Sequence, residues 1–261
     1  MLTAEQLEGL TQLHAVAEQF AAEVAIIGAA ALLYFIDLRR FTRDVDLVVA
    51  LDREDFATFP ARLRTHGWSQ EFGTEHRWRG PKATLVDLIP AGPKLRASKQ
   101  LVWPESQFTM SLAGLDHAFA RSVLFLFAPD VRFRVAPPPV IGLLKIVAYT
   151  EDPNRRRKDL DDLASLLCRY EAESDRIFGD DVLAAELDDI EYANAFLLGL
   201  DVGAIVTGDD AEIVSGFLGK QLMSVGERQE LVRDDSQERE VLRFQLQLKA
   251  FEMGFDLIRR K

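Results

Sequence analysis

Three consecutive prolines, Pro137, Pro138 and Pro139, lock φ at successive residues and remove three backbone donors, so neither a helix interior nor a central strand can run through them. The hydrophobic pattern changes across this barrier. Before it, short β-branched runs alternate with helical stripes. After it, residues 140–149 and 158–170 carry apolar side chains at helical spacing, and three or four further helices fill 182–260, with Gly199, Gly203, Gly208 and Gly226 near their ends. The reading is an α+β chain: a mixed sheet with flanking helices over 1–136, then an all-helical domain over 137–261.

Within the first half, residues 3–20 place Leu7, Leu10, Leu13, Ala17 and Phe20 on one stripe, and Thr3 with Gln6 has the form of a capping box. Residues 24–27 form a strand ending at Gly28, and the alanine-rich stretch to Ile36 is helical. Residues 45–50 and 83–89 are further strands. Between them, 52–66 is expected to be one helix capped by Asp52. Residues 123–127 and 131–135 form a hairpin turning at Pro129-Asp130.

The formal net charge is -11, and basic and acidic side chains balance through residue 150, so the whole acidic excess lies beyond it. Such a surface repels nucleic acid at long range, which argues against non-specific DNA binding. Two basic clusters stand out: Arg39, Arg40 and Arg43 in the neutral half, and Arg155 to Lys158 in the acidic one. The second reads as a solvated loop, or as a grip on RNA phosphates. No apolar run approaches a membrane span, and no basic, apolar leader follows Met1, so a cytoplasmic protein is expected. The one cysteine, Cys168, excludes an internal disulfide and reads as a buried thiol.

The chemistry lies in the acids. Asp44 and Asp46 are two apart on a strand, so the pleat turns both to one face and Val45, Leu47 and Val49 to the other. Two carboxylates roughly 7 Å apart on a strand repel unless a cation stands between them. Asp87, between Val86 and Leu88, offers a third from another strand. Neighbouring strands lie about 4.8 Å apart, close enough for all three to meet one divalent ion or a pair. Magnesium suits hard oxygen donors and completes its shell with substrate phosphates. Gly28, at a strand-to-helix turn, lets backbone N–H groups approach a phosphate. Neither feature alone is specific, and solvated turn acids and a plain turn are the bland alternatives. Walker A and Gly-x-Gly-x-x-Gly sequences are absent.

Taken together, Gly28-Ala29-Ala30-Ala31, the run Arg40-Phe41-Thr42-Arg43-Asp44-Val45-Asp46-Leu47 and the later Asp87 resemble the nucleotidyltransferase superfamily of the DNA polymerase β type, and within it the AbiEii-like toxins. Lys145, Arg155, Lys158, Asp159 and Asp162 extend the likeness into the helical half. The resemblance implies a catalytic domain over 1–136 that moves NMP from an NTP to a hydroxyl. By that likeness Asp44, Asp46 and Asp87 bind two Mg2+ ions, with Mn2+ as a substitute, and Asp87 helps activate the acceptor. Gly28, Ala29, Arg40, Thr42, Lys145, Lys158 and Asp159 bind the nucleotide, with Lys145 on the phosphates and Asp159 ordering the site with Lys158. Lys145 has a bland alternative as a snorkelling residue on an amphipathic helix. Ala29 lacks the serine hydroxyl of many relatives but keeps its N–H. The acceptor is a tRNA, a protein or a small molecule, and a toxin would have a cognate antitoxin as partner. The competing class is a non-catalytic relative, an antitoxin or scaffold that binds a nucleotide or partner. Everything in the enzymatic reading depends on a cation gathering residues 44, 46 and 87 beside Gly28. Scattered acids, or a nearby arginine already paired in the metal's place, would bring the enzymatic reading down.

Overall fold

The computed structural model describes residues 2–36, 42–128, 131–223 and 235–259. The chain divides into two compact units, Met1–Pro137 and Pro138–Lys261.

The first unit opens with α1 (Ala4–Glu18), whose capping box is present: the Thr3 hydroxyl accepts from the Gln6 N–H and the Gln6 side chain accepts from the Thr3 N–H. Leu10, Leu13, Val16 and Ala17 are buried on one face. Full burial of leucines such as these is worth about 1.5–3 kcal/mol each. The helix docks on a seven-stranded mixed sheet of order β3-β4-β5-β2-β1-β9-β8. Its strands are β1 (Val24–Ile27), β2 (Asp44–Val49), β3 (Ser69–Gln70), β4 (Arg77–Arg79), β5 (Leu85–Pro90), β8 (Val123–Ala128) and β9 (Val131–Val135). A separate two-stranded ribbon joins β6 (Gln100–Val102) to β7 (Thr109–Ser111).

β2 lies at the centre, antiparallel to β1 and parallel to β5. Val45, Leu47, Val86 and Leu88 are fully buried and give this pair its core face, as the alternation requires. The strand-to-helix turn falls at Gly28, but the helix that follows, α2 (Gly28–Leu32), is only five residues long. The hairpin of β8 and β9 is antiparallel. Its turn, Pro129-Asp130, lies outside the described residues, as does Arg40.

The single helix expected over 52–66 is instead two, α3 (Arg53–Phe56) and α4 (Phe59–Thr65). Pro60 has no N–H to continue an earlier turn and sits near the start of α4, the one place a helix accepts it. Asp52 makes no side-chain cap on α3. Its carboxylate accepts from the N–H groups of Lys94 and Leu95, at 2.9 and 3.0 Å, and so caps α5 (Pro93–Ser98). A last short helix, α6 (Leu115–Ala120), precedes β8.

The second unit is helical: α7 (Pro138–Glu151), α8 (Arg157–Arg169), α9 (Asp180–Ala184), α10 (Ala193–Ile205), α11 (Asp209–Met223) and α12 (Asp235–Arg259). Pro138 and Pro139 open α7, where their missing donors cost nothing. α10 is buried along most of its length, and its backbone meets that of α12 directly. A Cβ on Gly199 would overlap the Phe251 carbonyl, and one on Gly254 the Phe196 carbonyl. Among the described residues no helix is long and apolar enough to cross a membrane. Cys168 is half-buried and its Sγ accepts from Gln247 Nε2 at 2.8 Å, so it is a polar contact and not the enclosed thiol expected.

Candidate functional site

Register brings the three acids to one end and one face of the sheet. Asp46 pairs directly with Asp87 across the parallel β2–β5 ladder, and Asp44 lies two residues from Asp46 on the same side. β2 is led into this position by α1. The Gln6 amide, buried, reaches the carbonyls of Thr42 and Arg43 at 3.4 and 3.5 Å, fixing the backbone just before Asp44. Thr42 is itself buried. Ile27 pairs with Asp46 on the other flank, which sets the Gly28 turn beside the acids.

Gly28 has φ +67, a left-handed conformation that a side chain disfavours. A Cβ there would overlap Asp46 Oδ2 and come within 2.9 Å of Asp46 Cγ. The glycine is therefore required twice, by its backbone and by the carboxylate seated against it. Ala29 is buried immediately after it.

One feature of the cluster is absent from the sequence reading. Arg77, on β4 opposite Asp87, projects into the acids. Its Nε donates to Asp87 Oδ1 at 2.8 Å, and its Nη2 donates both to Asp87 Oδ2 at 2.8 Å and to Asp44 Oδ2 at 2.7 Å. Glu71 Oε2 lies 3.9 Å from the same Nε. Hydrogen bonds to Asp87 hold the guanidinium even further from deprotonation than an ordinary arginine, with Coulombic support from Asp87, Asp44 and Glu71. Asp87 thus has both oxygens on one guanidinium.

Of the three acids expected to share a metal, two are bridged by this arginine, the arrangement set above against an enzymatic reading. The acids do converge, but the cation between Asp44 and Asp87 is an arginine. Among the described residues no group of three or more His, Cys, Asp or Glu side chains is arranged to hold a metal ion. The donor chemistry suits a hard divalent ion at Asp44 and Asp46, both of which water can reach. It does not suit one at Asp87 as that side chain stands.

The acids and cations expected in the helical half also assemble, in a different pairing. Lys145 on α7 contacts Asp159 Oδ1 at 2.6 Å and Asp162 Oδ2 at 2.7 Å, both on α8. Asp159 is therefore ordered by Lys145 and not by Lys158, which is exposed. Burial alone would lower the Lys145 pKa; the two aspartates reverse this and hold it above the usual lysine value. Among the described residues Asp159 Oδ2 accepts no hydrogen bond and faces Arg156 Nη1 at 3.9 Å. Lys145 is not a snorkelling side chain, and a phosphate contact would require it to leave this pair. Arg155 is largely exposed beside Asp152.

No family model matches the chain, and no curated protein matches it by sequence. Solved structures do, among them proteins described as a putative nucleotidyltransferase, as nucleotidyltransferase-like and as a cyclic dinucleotide synthase. A nucleotidyltransferase-like antigenic protein of Paracoccidioides brasiliensis aligns at 20% identity over 63% of this chain and 76% of its own, with TM-score 0.39. ANT(2'')-Ia in complex with adenylyl-2''-tobramycin aligns at 13% identity over 72% and 96%, with TM-score 0.38. The cyclic dinucleotide synthase CdnE of Elizabethkingia meningoseptica, bound to GTP and Apcpp, aligns at 12% identity over 98% and 92%, with TM-score 0.32. A likeness this distant assigns no substrate and no residue role.

Proposed function

We propose that the chain is a cytoplasmic, metal-dependent nucleotidyltransferase that transfers NMP from an NTP to an acceptor hydroxyl. The observation that carries this reading is the seating of Asp46 against Gly28, with Asp44 and Asp87 on the same face: a turn stripped of its side chain beside acids that share one sheet end. Arg77 already offsets the repulsion between Asp44 and Asp87, so the reading rests on the open turn beside Asp46 and not on uncompensated charge. Asp44 and Asp46 would hold Mg2+ or Mn2+, which when bound offsets triphosphate charge and eases deprotonation of the acceptor. The chain's own part is positional. Gly28 keeps the turn open beside Asp46, Gln6 steadies the approach to Asp44, and Arg77 orients Asp87. The acceptor oxygen would attack the α-phosphorus and pyrophosphate would leave, with no covalent protein nucleophile. tRNA, a protein or a small hydroxylated molecule remain the acceptor classes, and the acidic excess beyond residue 150 favours a cationic small molecule or a protein over RNA. A tRNA acceptor would fit the toxin of a toxin–antitoxin pair, with a cognate antitoxin as partner.

A second reading has support from Arg77. The guanidinium gives the acids a structural reason to remain together, so their convergence alone does not require catalysis, and a non-catalytic nucleotide-binding scaffold or antitoxin would tolerate the same cluster. Incubation of labelled NTPs with Mg2+ and total tRNA, cell extract or aminoglycosides separates the two. The transferase reading expects label on an acceptor and its loss, on the order of 10³-fold, in Asp46→Asn. Unchanged transfer in that variant, or NTP-induced thermal stabilisation with no transfer to any acceptor class, favours the scaffold.

A further inference from the structure

Arg77 contacts Asp87 and Asp44 unequally. Two of its three hydrogen bonds, a parallel fork, go to Asp87, whose side chain is 12% exposed; one goes to Asp44, whose side chain is 37% exposed. A bidentate, shielded contact is stronger and harder for water to replace than a single exposed one. The arginine's backbone is held as well: the His76 carbonyl accepts from Leu88 at 2.7 Å and the Arg77 carbonyl from Glu71 at 2.8 Å, while the adjoining Trp78 is fully buried. β4 therefore keeps Arg77 on Asp87, and the Asp44 contact is the one that can open.

Charge points the same way. Arg77 faces Asp44, Asp87 and, at 3.9 Å, Glu71, which it shares with Arg79, so two guanidinium groups meet three carboxylates here and the balance favours a further cation. Glu71, which also pairs with Arg79 at 3.0 Å, lies ready to take up whatever Asp44 gives away. Arginine stays charged at any ordinary pH, so the guanidinium competes with a metal as a fixed cation.

We propose that Arg77 is a positioning residue that acts as a resident counter-ion: it holds Asp44 and Asp87 together in the metal-free protein and competes with the divalent ion for Asp44. Loading the site transfers Asp44 from the guanidinium to the metal while Arg77 stays on Asp87. This inference rests on the nucleotidyltransferase reading and adds to it a residue that sets how tightly metal binds. It also accounts for an arginine and three acids sharing one sheet end.

The test is Mn2+ binding, by calorimetry or by loss of the free-ion paramagnetic signal, to the wild-type chain, Arg77→Gln, Arg77→Lys and Asp46→Asn. Removing the competing charge should tighten binding about fivefold in Arg77→Gln, the scale of releasing one half-exposed ion pair. Arg77→Lys, which keeps the charge without the fork, should fall between, and it carries the comparison if Arg77→Gln does not fold. A merely structural arginine would give the opposite sign, since disordering the acids weakens binding. Mn2+ affinity unchanged or reduced in both Arg77 variants, with wild-type binding intact and lost in Asp46→Asn, overturns the counter-ion role and leaves the transferase reading standing. Absence of Mn2+ binding by the wild type and by both Arg77 variants removes the transferase reading itself.

Discussion

The two units each place one cation between two aspartates, and the settings differ. Arg77 between Asp44 and Asp87 is part of a half-exposed sheet end, with side-chain exposures of 31%, 37% and 12%. Lys145 between Asp159 and Asp162 is enclosed by helices, at 13%, 2% and 4%. The same charges in different dielectric surroundings have different uses. In the enclosed triad, desolvation makes each ion depend on the others, and no partner can be withdrawn cheaply. At the sheet end, water screens the contacts and partners can exchange. The difference lies in how readily a partner can be exchanged, which is easier at the sheet end than within the triad.

The sharpest break of this comparison is Lys145→Met. It should strand two buried carboxylates and destabilise the helical unit by about 3–5 kcal/mol, read by urea denaturation followed through far-ultraviolet circular dichroism. A loss below about 1 kcal/mol, the exposed-pair range, would put the triad in the same class as the sheet-end cluster. Next is Gly28→Ala, which alters no charge. The left-handed backbone alone should cost about 1–2 kcal/mol, and Asp46 must shift as well, so metal binding and transfer should fall together. If Mn2+ affinity survives, Asp46 does not need its seat against the turn. Arg77→Gln gives up the screened Asp44 contact together with the shielded fork to Asp87, so its cost in metal-free denaturation should lie between the exposed-pair and the buried-pair ranges.

The smallest effect is a pH dependence. A lysine whose folded pKa is raised stabilises the fold fully below its unfolded value, about 10.4, and the contribution fades as pH rises through the higher folded value. Only the start of that loss falls at tolerable alkalinity. Wild type should show a shallow decline in stability above that point which Lys145→Met lacks, whereas Arg77→Gln should retain it. Parallel wild-type and Lys145→Met curves would mean that the ammonium is not what the helices depend on.

The strands that carry the acids were legible because β-branched alternation over four to six residues gives both strand and face, and the helical half because apolar stripes repeat after the prolines. Arg77 was not. It lies on a three-residue strand, Arg77-Trp78-Arg79, too short to establish a period and flanked by turn residues. Its only sequence signal is the buried tryptophan between two arginines, a pattern common by chance. Four short strands, β3, β4, β6 and β7, escaped the sequence reading, and the missed site residue lies on one of them. Asp52 shows a second limit. Its position before a helix was readable, but the N–H groups it accepts belong to residues 94 and 95, and a choice between local and distant partners is made by packing. For Lys145, the i, i+3 spacing of Asp159 and Asp162 placed both on one helix face, while the lysine facing them came from another helix.

The cap that Asp52 supplies has a mechanical meaning for the acids at the other end of the same strand. Just past β2, Leu51 accepts from Gly92 at 2.8 Å, and Val49 accepts from Ala91 at 2.8 Å, so the chain leaving β2 is stapled to the chain leaving β5 by these bonds and by Asp52 itself. Two strands riveted at their tails cannot slide past one another by the two-residue step that would keep their faces matched. The spacing of Asp46 from Asp87 is in effect a machined dimension, and adjustment in this corner falls to side-chain rotation.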